Sequence, residues 1–326
     1  MVITKTPYRV SFFGGGTDFP LWYRDHGGSV ISTAINQYCY VSVRRKPPFF
    51  PHKHRFVYSE MEDVNEVKDI RHPAIKGVLQ WLQWEDGLEI HHDGDLPARS
   101  GLGSSSAFTV GLLRAMYQLM GRETTQQQLA KDAIHVEQEV IGEVVGCQDQ
   151  VAVACGGFNR IQFLPDGSFE VKPIKVASGR LALLQDHLML YFTGFSRYAS
   201  QIEASKLVNF SSKKQELQRM MQMVADAENL LLDESRDLQE FGSMLQESWE
   251  YKKSLSAAVT TSAIDEIYDR AMLAGAAGGK VLGAGGGGFV LFFVSPENQP
   301  SVRQALKGLI EVPFRFEQGG SRVVMG

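Results

Sequence analysis

Alternating apolar and polar residues mark the first part of the chain. The alternation runs through residues 8–13 and 38–43, on either side of glycine-rich turns, and returns in residues 88–93. A period of two is typical of half-buried β-strands. Residues 107–120 are instead small and apolar without alternation, and Gly121 follows them, which predicts a helix that ends at a glycine. The N-terminal part is therefore expected to combine a sheet with a long helix.

Helical spacing dominates the later part of the chain. Apolar residues between 200 and 255 recur three and four positions apart, which predicts two or three amphipathic helices. The other expected elements are helices at 125–141, 264–275 and 300–310, and strands at 152–163, 169–174, 188–192, 289–294 and 312–316. Because strands come first and alternate with helices only later, the pattern favours an α+β fold over a doubly wound sheet. We expect two domains, residues 1–180 and 181–326.

Composition excludes several classes of protein. The 326 residues are 44% hydrophobic and 21% charged, as in an ordinary globular protein. A net charge of −4 argues against a large basic surface for nucleic acid or anionic lipid but leaves room for a small basic pocket. No apolar run approaches the roughly 20 residues that cross a bilayer, and three cysteines are too few for a disulfide framework or a zinc site. The first residues lack a basic-then-apolar signal segment, so a cytoplasmic location is expected.

The 32 glycines are unusually many, and they are clustered. The most informative cluster follows a strand through Pro97 and opens a helix; its residues are Gly101, Leu102, Gly103, Ser104, Ser105 and Ser106. The free N–H groups at such a helix start bind anions. A helix cap alone needs one serine and one glycine, so the larger number favours a phosphate site. No G-x-x-x-x-G-K-[ST] pattern occurs, which excludes a Walker A loop.

A second cluster, residues 283–288, satisfies the pattern G-x-G-x-x-G. A strand and not a helix is expected after it, so the context of a dinucleotide-binding fold fails and a dehydrogenase is disfavoured. A tight turn is the simpler explanation, but six residues with almost no side chains favour backbone that lies against a ligand. Charged residues flank two further glycine turns: Arg9 and Asp18 around residues 14–16, and Asp149 after residues 142–146. These three are candidates for an active site.

Three of these motifs, in this order, resemble those of the GHMP small-molecule kinases. Residues 97–107 resemble the second motif of the family, residues 283–288 the third, and residues 142–150 its Gly-x-x-x-Gly-x-x-Asp-Gln turn with a one-residue variation in spacing. The first motif, Arg-Val-Ser-Phe-Phe-Gly-Gly-Gly-Thr-Asp at residues 9–18, departs from the galactokinase form. It resembles that of the D-glycero-D-manno-heptose 7-phosphate kinase branch, as do residues 193–197 and 319–324.

The resemblance implies a fold and a reaction. The fold would join an N-terminal domain like the second domain of ribosomal protein S5 to a ferredoxin-like C-terminal domain, with the active site between them. The reaction would be ATP- and Mg²⁺-dependent phosphorylation of the anomeric hydroxyl of heptose 7-phosphate to the 1,7-bisphosphate. That product would feed GDP-heptose and the synthesis of capsule or other surface polysaccharide.

The resemblance also implies roles for single residues. Asp149 would accept or orient the proton of the sugar hydroxyl, and Arg9 would hold Asp149 in its ionised form. Ser105 and Glu137 would ligate Mg²⁺, and the cluster from Pro97 to Ser106 would hold the ATP phosphates. The expected sugar contacts are Gly15, Gly16, Thr17, Asp18, Gly285, Gly286 and Gly287. The candidates for the phosphate of the substrate are Arg197 first, then Arg99 and Lys280.

Other functions remain open at the level of sequence. The same chemistry could act on L-fucose, galactose or a non-sugar alcohol, and a silent sensor of ATP or sugar could share the fold. The four residues Arg9, Ser105, Glu137 and Asp149 argue against a sensor, because a protein that only binds needs no base. The expected partner is a small sugar phosphate, with neither nucleic acid nor membrane. Helices between residues 217 and 249 could pack internally or pair two chains into a homodimer.

Overall fold

The computed structural model describes residues 1–98, 100–194 and 199–326. Its strands are β1 (Val2–Phe13), β2 (Gly28–Arg45), β3 (His54–Val57), β4 (Met61–Val64), β5 (Leu88–Gly94), β6 (Phe158–Phe163), β7 (Phe169–Pro173), β8 (Leu188–Phe192), β9 (Ala276–Val281), β10 (Phe289–Val294), β11 (Ile310–Glu311), β12 (Phe316–Glu317) and β13 (Arg322–Met325). Its α-helices are α1 (Pro20–His26), α2 (Pro73–Trp81), α3 (Ser104–Leu119), α4 (Gln126–His135), α5 (Gln148–Cys155), α6 (Ser178–Asp186), α7 (Ala199–Leu207), α8 (Lys214–Leu232), α9 (Gln239–Leu255), α10 (Ser262–Leu273) and α11 (Gln299–Ala305). A π-helical turn, Val136–Val140, extends α4, and 3₁₀ turns occupy Val67–Asp69 and Ala257–Val259.

The long strand β2 organises the N-terminal sheet. It pairs antiparallel with β1 along almost its full length and also with β5, β6 and β12. Strand β13, near the end of the chain, forms the edge beyond β1. Helix α3 packs on β1 and β2, as its run of buried small residues predicts. This packing brings the start of α3 to the end of β1.

A smaller antiparallel sheet lies in the C-terminal part, in the order β11-β8-β10-β9. Helix α9 packs on β9, and α8 packs on β1 and β2 of the first sheet. The ring of Phe241 on α9 lies 5.5 Å from that of Phe12 and 6.1 Å from that of Phe293, so one hydrophobic core joins the two sheets. The junction between the sheets is therefore packed, with the end of β1 and the end of β10 on either side of Phe241.

Two expected elements differ from the structure. Residues 152–155, expected to start a strand, belong to helix α5, because their Ala and Val side chains pack against other helices and Gly156 then ends the helix. The strand expected over 312–316 is instead two short strands, β11 and β12, on either side of Pro313, which cannot donate a ladder hydrogen bond.

The division at residue 180 stays a prediction. Residue 180 lies within helix α6, and the chain returns to the first sheet through β12 and β13. Among the helices of the described residues, none is both long and apolar enough to span a membrane.

Candidate active site

The loop before helix α3 has the backbone of an anion site. Gly101 and Gly103 have φ angles of +83° and +75°, a left-handed region that side chains rarely adopt, and α3 begins directly afterwards at Ser104. The first N–H groups of a helix have no acceptor within it and point at the space before it. Ser105 and Pro97 are exposed, whereas Leu102 is buried and anchors the loop in the core. Phosphate binding by this loop stays a prediction that its geometry fits.

The two glycine segments lie against each other. A Cβ added to Gly283 would lie 2.5 Å from Cα of Gly101, and one added to Gly288 would lie 2.2 Å from the carbonyl oxygen of Ser100. The N–H of Phe289 donates to that same oxygen at 3.1 Å. The sequence-based prediction that residues 101–106 and 283–288 meet in space is therefore confirmed, and the glycines are needed because the two backbones are in contact.

Arg9 and Asp149 form a bidentate ion pair beside this contact. Nε and Nη2 of Arg9 donate to Oδ1 and Oδ2 of Asp149 at 2.8 and 2.7 Å, while Nη1 donates to the carbonyl oxygen of Gly101 at 2.7 Å. Arg9 is 2% exposed, whereas the side chain of Asp149 is 27% exposed. A buried guanidinium thus fixes a carboxylate that solvent can reach. This arrangement suits a base that is held in one orientation where a ligand can reach it.

The turn at residues 14–18 is tied to the turn that delivers Asp149. Asp18 is buried; its carboxylate accepts the N–H groups of Gly16 at 2.9 Å and Gln148 at 3.3 Å. Burial, and then the nearby Asp149 carboxylate, raise the pKa of Asp18 to about 6. Gly146 has no room for a side chain because a Cβ would lie 1.9 Å from Oδ2 of Asp18. Asp18 is therefore part of the support of the site, and its contact with a sugar stays a prediction.

The assignment of Thr17 to sugar binding is corrected by the structure. Thr17 is wholly buried, and its hydroxyl donates to the carbonyl oxygens of Gly14 at 2.8 Å and Ser29 at 3.1 Å. Its N–H also donates to Gly14. With its donors used inside the turn, Thr17 builds the turn and does not present a group to a ligand. Contacts through Gly15 and Gly16 stay predictions.

Glu137 lies on the π-helical turn after α4, a distortion that is frequent at functional sites. Its Oε2 accepts Oγ of Ser106 at 3.0 Å and the side-chain amide of Gln150, whereas Oε1 is buried without a hydrogen-bond partner among the described residues. Burial raises the pKa of Glu137 to about 7. A free, buried carboxylate oxygen beside serine hydroxyls is a donor set that fits a hard cation such as Mg²⁺.

The structure places Ser106, the neighbour of the predicted ligand Ser105, against Glu137. Among the described residues, no three His, Cys, Asp or Glu side chains form a cluster that could hold a metal. Mg²⁺ in proteins is often held by one or two side chains together with substrate phosphates, and Glu137 meets that requirement. The metal role of Ser105 and Glu137 stays a prediction.

The chain is similar to known proteins. The N-terminal domain model of the GHMP kinases matches residues 69–157, and the C-terminal model matches residues 226–310. The D-glycero-alpha-D-manno-heptose 7-phosphate kinase of Campylobacter jejuni is 30% identical over 93% of this chain and 92% of that protein. The chain belongs to the GHMP kinase family. Since these kinases use ATP as the phosphate donor, the chain is an ATP-dependent phosphotransferase.

Solved structures of GHMP kinases support the fold. A D-glycero-D-manno-heptose 1-phosphate kinase from Bacteroides thetaiotaomicron has a TM-score of 0.81 at 27% identity, covering 100% of this chain and 99% of that one. The mevalonate kinase of Methanococcus jannaschii has a TM-score of 0.72 at 20% identity, covering 96% and 98%, which shows a shared fold. The expected family and its two-part α+β architecture are therefore confirmed.

The glycine-rich third motif of the GHMP kinases is held here by residues that the sequence analysis did not assign. The N–H of Gly286 donates to the carbonyl oxygen of Val259 at 2.7 Å, and Gly285 lies too close to that oxygen for a side chain. Nζ of Lys252 donates to the carbonyl oxygens of Val281 and Gly283 at 2.8 and 2.5 Å. Contacts of Gly285, Gly286 and Gly287 with a substrate stay predictions, while their own anchoring is now explained.

The structure does not favour Lys280 as the residue that holds the phosphate of a substrate. Its ammonium is buried and donates to the carbonyl oxygen of Phe12 at 2.7 Å. The other two candidates for that role, Arg197 and Arg99, lie outside the described residues.

The sequence also did not indicate that Lys252 would bind the backbone of the third motif or that Gln150 would donate to Glu137. Lys252 continues the buried stripe of Leu245 and Trp249 on α9, so a charge at a core position was the available signal.

Proposed function

We propose that this chain is a sugar kinase that transfers the γ-phosphoryl group of ATP to the anomeric hydroxyl of D-glycero-D-manno-heptose 7-phosphate, giving the 1,7-bisphosphate. The observation that carries the proposal is the Arg9–Asp149 pair placed beside two glycine segments in contact. The substrate is chosen because a heptose 7-phosphate kinase is 30% identical over 93% of the chain. The product would enter the synthesis of GDP-heptose and surface polysaccharide in the cytoplasm.

Asp149 accepts the proton of the attacking hydroxyl in this proposal. Its carboxylate is partly exposed and its orientation is fixed by two hydrogen bonds from Arg9, so the hydroxyl can approach one defined face. The N–H groups at the start of α3 bind the phosphates of ATP, and the contact with residues 283–288 limits the space around the transferring group. Phosphoryl transfer needs mainly such alignment and charge stabilisation.

Glu137 would hold Mg²⁺ through its free oxygen, together with a serine hydroxyl at the start of α3 and the nucleotide phosphates. The bound ion would neutralise charge on the phosphate oxygens. The phosphate already present on the substrate would be held by Arg197 or Arg99, since Lys280 is occupied inside the fold.

The test is ADP release with a panel of acceptors: heptose 7-phosphate, L-fucose, galactose, mevalonate and no acceptor. We expect the highest kcat/KM with heptose 7-phosphate, and ³¹P NMR should place the new phosphate on the anomeric carbon. The Asp149→Asn variant is the control for contaminating kinases. Higher kcat/KM with fucose or galactose would reject the substrate, and ADP release that no acceptor increases would reject a kinase of these substrates altogether.

A further inference from the structure

Two buried lysines donate hydrogen bonds to backbone carbonyl oxygens in or next to the glycine segments. Lys252 on α9 donates to the carbonyl oxygens of Val281 and Gly283, at the start of the segment 283–288. Lys280 on β9 donates to the carbonyl oxygen of Phe12, two residues before Gly14. The two side chains are only 6% and 4% exposed. Together they connect the C-terminal glycine segment with the end of β1, the strand that carries Arg9.

Neither lysine forms an ion pair with a carboxylate in the described part of the chain, although Glu203 opposes the fall in the pKa of Lys252 from a greater distance. Among the described residues, no carboxylate lies within 4.0 Å of either ammonium, so their acceptors are backbone oxygens only. The nearest cations are already paired: Arg9 with Asp149, and Lys206 with Glu203 at 2.5 Å. Burial, and then the charge of Arg9, lower the pKa of Lys280 to about 7, and burial and Lys280 also lower the pKa of Lys252. A nearby anion raises the pKa of an ammonium, so we expect both lysines to carry their full charge near neutral pH only when a phosphate is bound beside them.

Stability alone does not account for two such residues. An unpaired buried ammonium is unfavourable, and apolar side chains of similar volume are often as stable or more stable in its place. What the two lysines add is hydrogen bonds to three carbonyl oxygens and an excess of positive charge close to the site. In the proposed reaction, the phosphoryl group in transfer is the anionic group that we expect closest to these segments.

We propose that Lys252 and Lys280 are positioning residues that fix residues 281–288 against the end of β1 and whose unpaired charges favour the anionic phosphoryl group held there. The inference rests on the proposed function for the phosphoryl group, but the hold on the backbone does not depend on it.

Four variants of the full chain separate hydrogen bonding from charge. Lys252→Met removes both, Lys252→Gln keeps donors without charge, Lys252→Arg keeps both, and Lys280→Gln makes the neutral change at the second lysine. Lys253→Met is the matched control, because Lys253 follows on the same helix but is partly exposed and paired with Glu250 at 2.8 Å. The readouts are kcat, KM for ATP, and hydrogen–deuterium exchange of residues 281–288.

We expect Lys252→Met to lower kcat about 100-fold and to speed exchange in residues 281–288, with KM for ATP changed far less. Lys252→Gln should restore slow exchange but not kcat, Lys252→Arg should restore most of kcat, and Lys280→Gln should also lower kcat. Lys253→Met should match the wild type. A merely structural role would change stability without this split between kcat, KM and exchange.

Wild-type kcat in Lys252→Gln or Lys280→Gln would overturn the role of charge, and unchanged exchange in Lys252→Met would overturn the hold on the backbone. If Lys252→Met does not fold, the two glutamine variants decide the question through kcat. If the wild type turns over no sugar, the proposed function fails, and exchange of residues 281–288 alone then judges the positioning role.

Discussion

Replacing Gly283 by alanine tests the contact between the two glycine segments on which the site depends. The new Cβ would lie 2.5 Å from Cα of Gly101 and 2.9 Å from its carbonyl oxygen. Both are backbone atoms, so no flexible side chain can move away. The φ of Gly283 is +65°, so alanine would also be strained in place.

The two costs can be estimated separately. Holding alanine in the left-handed region costs about 1–2 kcal/mol, and forcing extra volume into a packed contact costs about 1–3 kcal/mol more. To restore the 3.4 Å at which ordinary contacts begin, the segments must separate by about 0.9 Å. A displacement of about 1 Å in an active site can lower turnover about 100-fold.

Gly121→Ala is the matched control. Gly121 has a φ of +68°, close to that of Gly283, but nothing lies within 4 Å of the position of its Cβ. Urea unfolding should show a loss of stability from backbone strain in both variants and a further loss in Gly283→Ala. Steady-state ADP release should show a lower kcat in Gly283→Ala only. Equal losses in the two variants would refute the reasoning that backbone contact between the segments shapes the site.

Three further predictions concern the charged residues. Asp149→Asn should lower kcat by orders of magnitude while ATP affinity, measured by calorimetry, stays near that of the wild type; unchanged turnover would remove Asp149 from the mechanism. Arg9→Lys keeps a charge but cannot reproduce the bidentate pair, so kcat should fall at least about 10-fold, and wild-type kcat would show that the fork geometry is dispensable. Glu137 takes up a proton more readily in the folded protein than in the unfolded chain, because burial raises its pKa from 4.5 to about 7. Without Mg²⁺, the contribution of Glu137 to the free energy of unfolding is therefore greatest below pH 4.5, and it falls by about 3 kcal/mol as the pH rises through 7. Glu137→Gln should remove that fall in urea unfolding at pH 8 and also abolish Mg²⁺-dependent turnover; a pH profile unchanged by the substitution would contradict the assignment.

Motif spacing predicted the parts of the site that depend on local backbone. A helix starts at Ser104, as the Gly-x-Gly-Ser-Ser-Ser order indicates, and the structure adds that Gly101 and Gly103 have left-handed φ angles. The alternation in β1 and β2 likewise predicted strands, although burial in β2 alternates only in residues 39–43, and residues 6–13 of β1 are buried on both faces. Such features are encoded within a few residues, so periodicity and turn chemistry are enough to find them.

Other features depend on pairings between distant residues, which spacing does not reveal. Residues 152–155 of α5 resembled the start of a strand because Val153 favours strands, and only packing against other helices decides the outcome. Pro313 explains the divided strand near the end of the chain, but not that its second part joins the first sheet.

The cationic residues show where sequence reasoning is weakest. Arg9, Lys252 and Lys280 carry the same charge, yet one pairs with a carboxylate 140 residues away and two donate only to backbone oxygens. Of the three, Lys280 was interpreted as a ligand for the substrate phosphate, a role that suits a surface residue. Inside the fold, each ammonium must first satisfy the carbonyl oxygens around it, since their desolvation would otherwise go uncompensated. We therefore expect the buried cations beside these glycine segments to act on a bound phosphate through the backbone that they hold and through their charge.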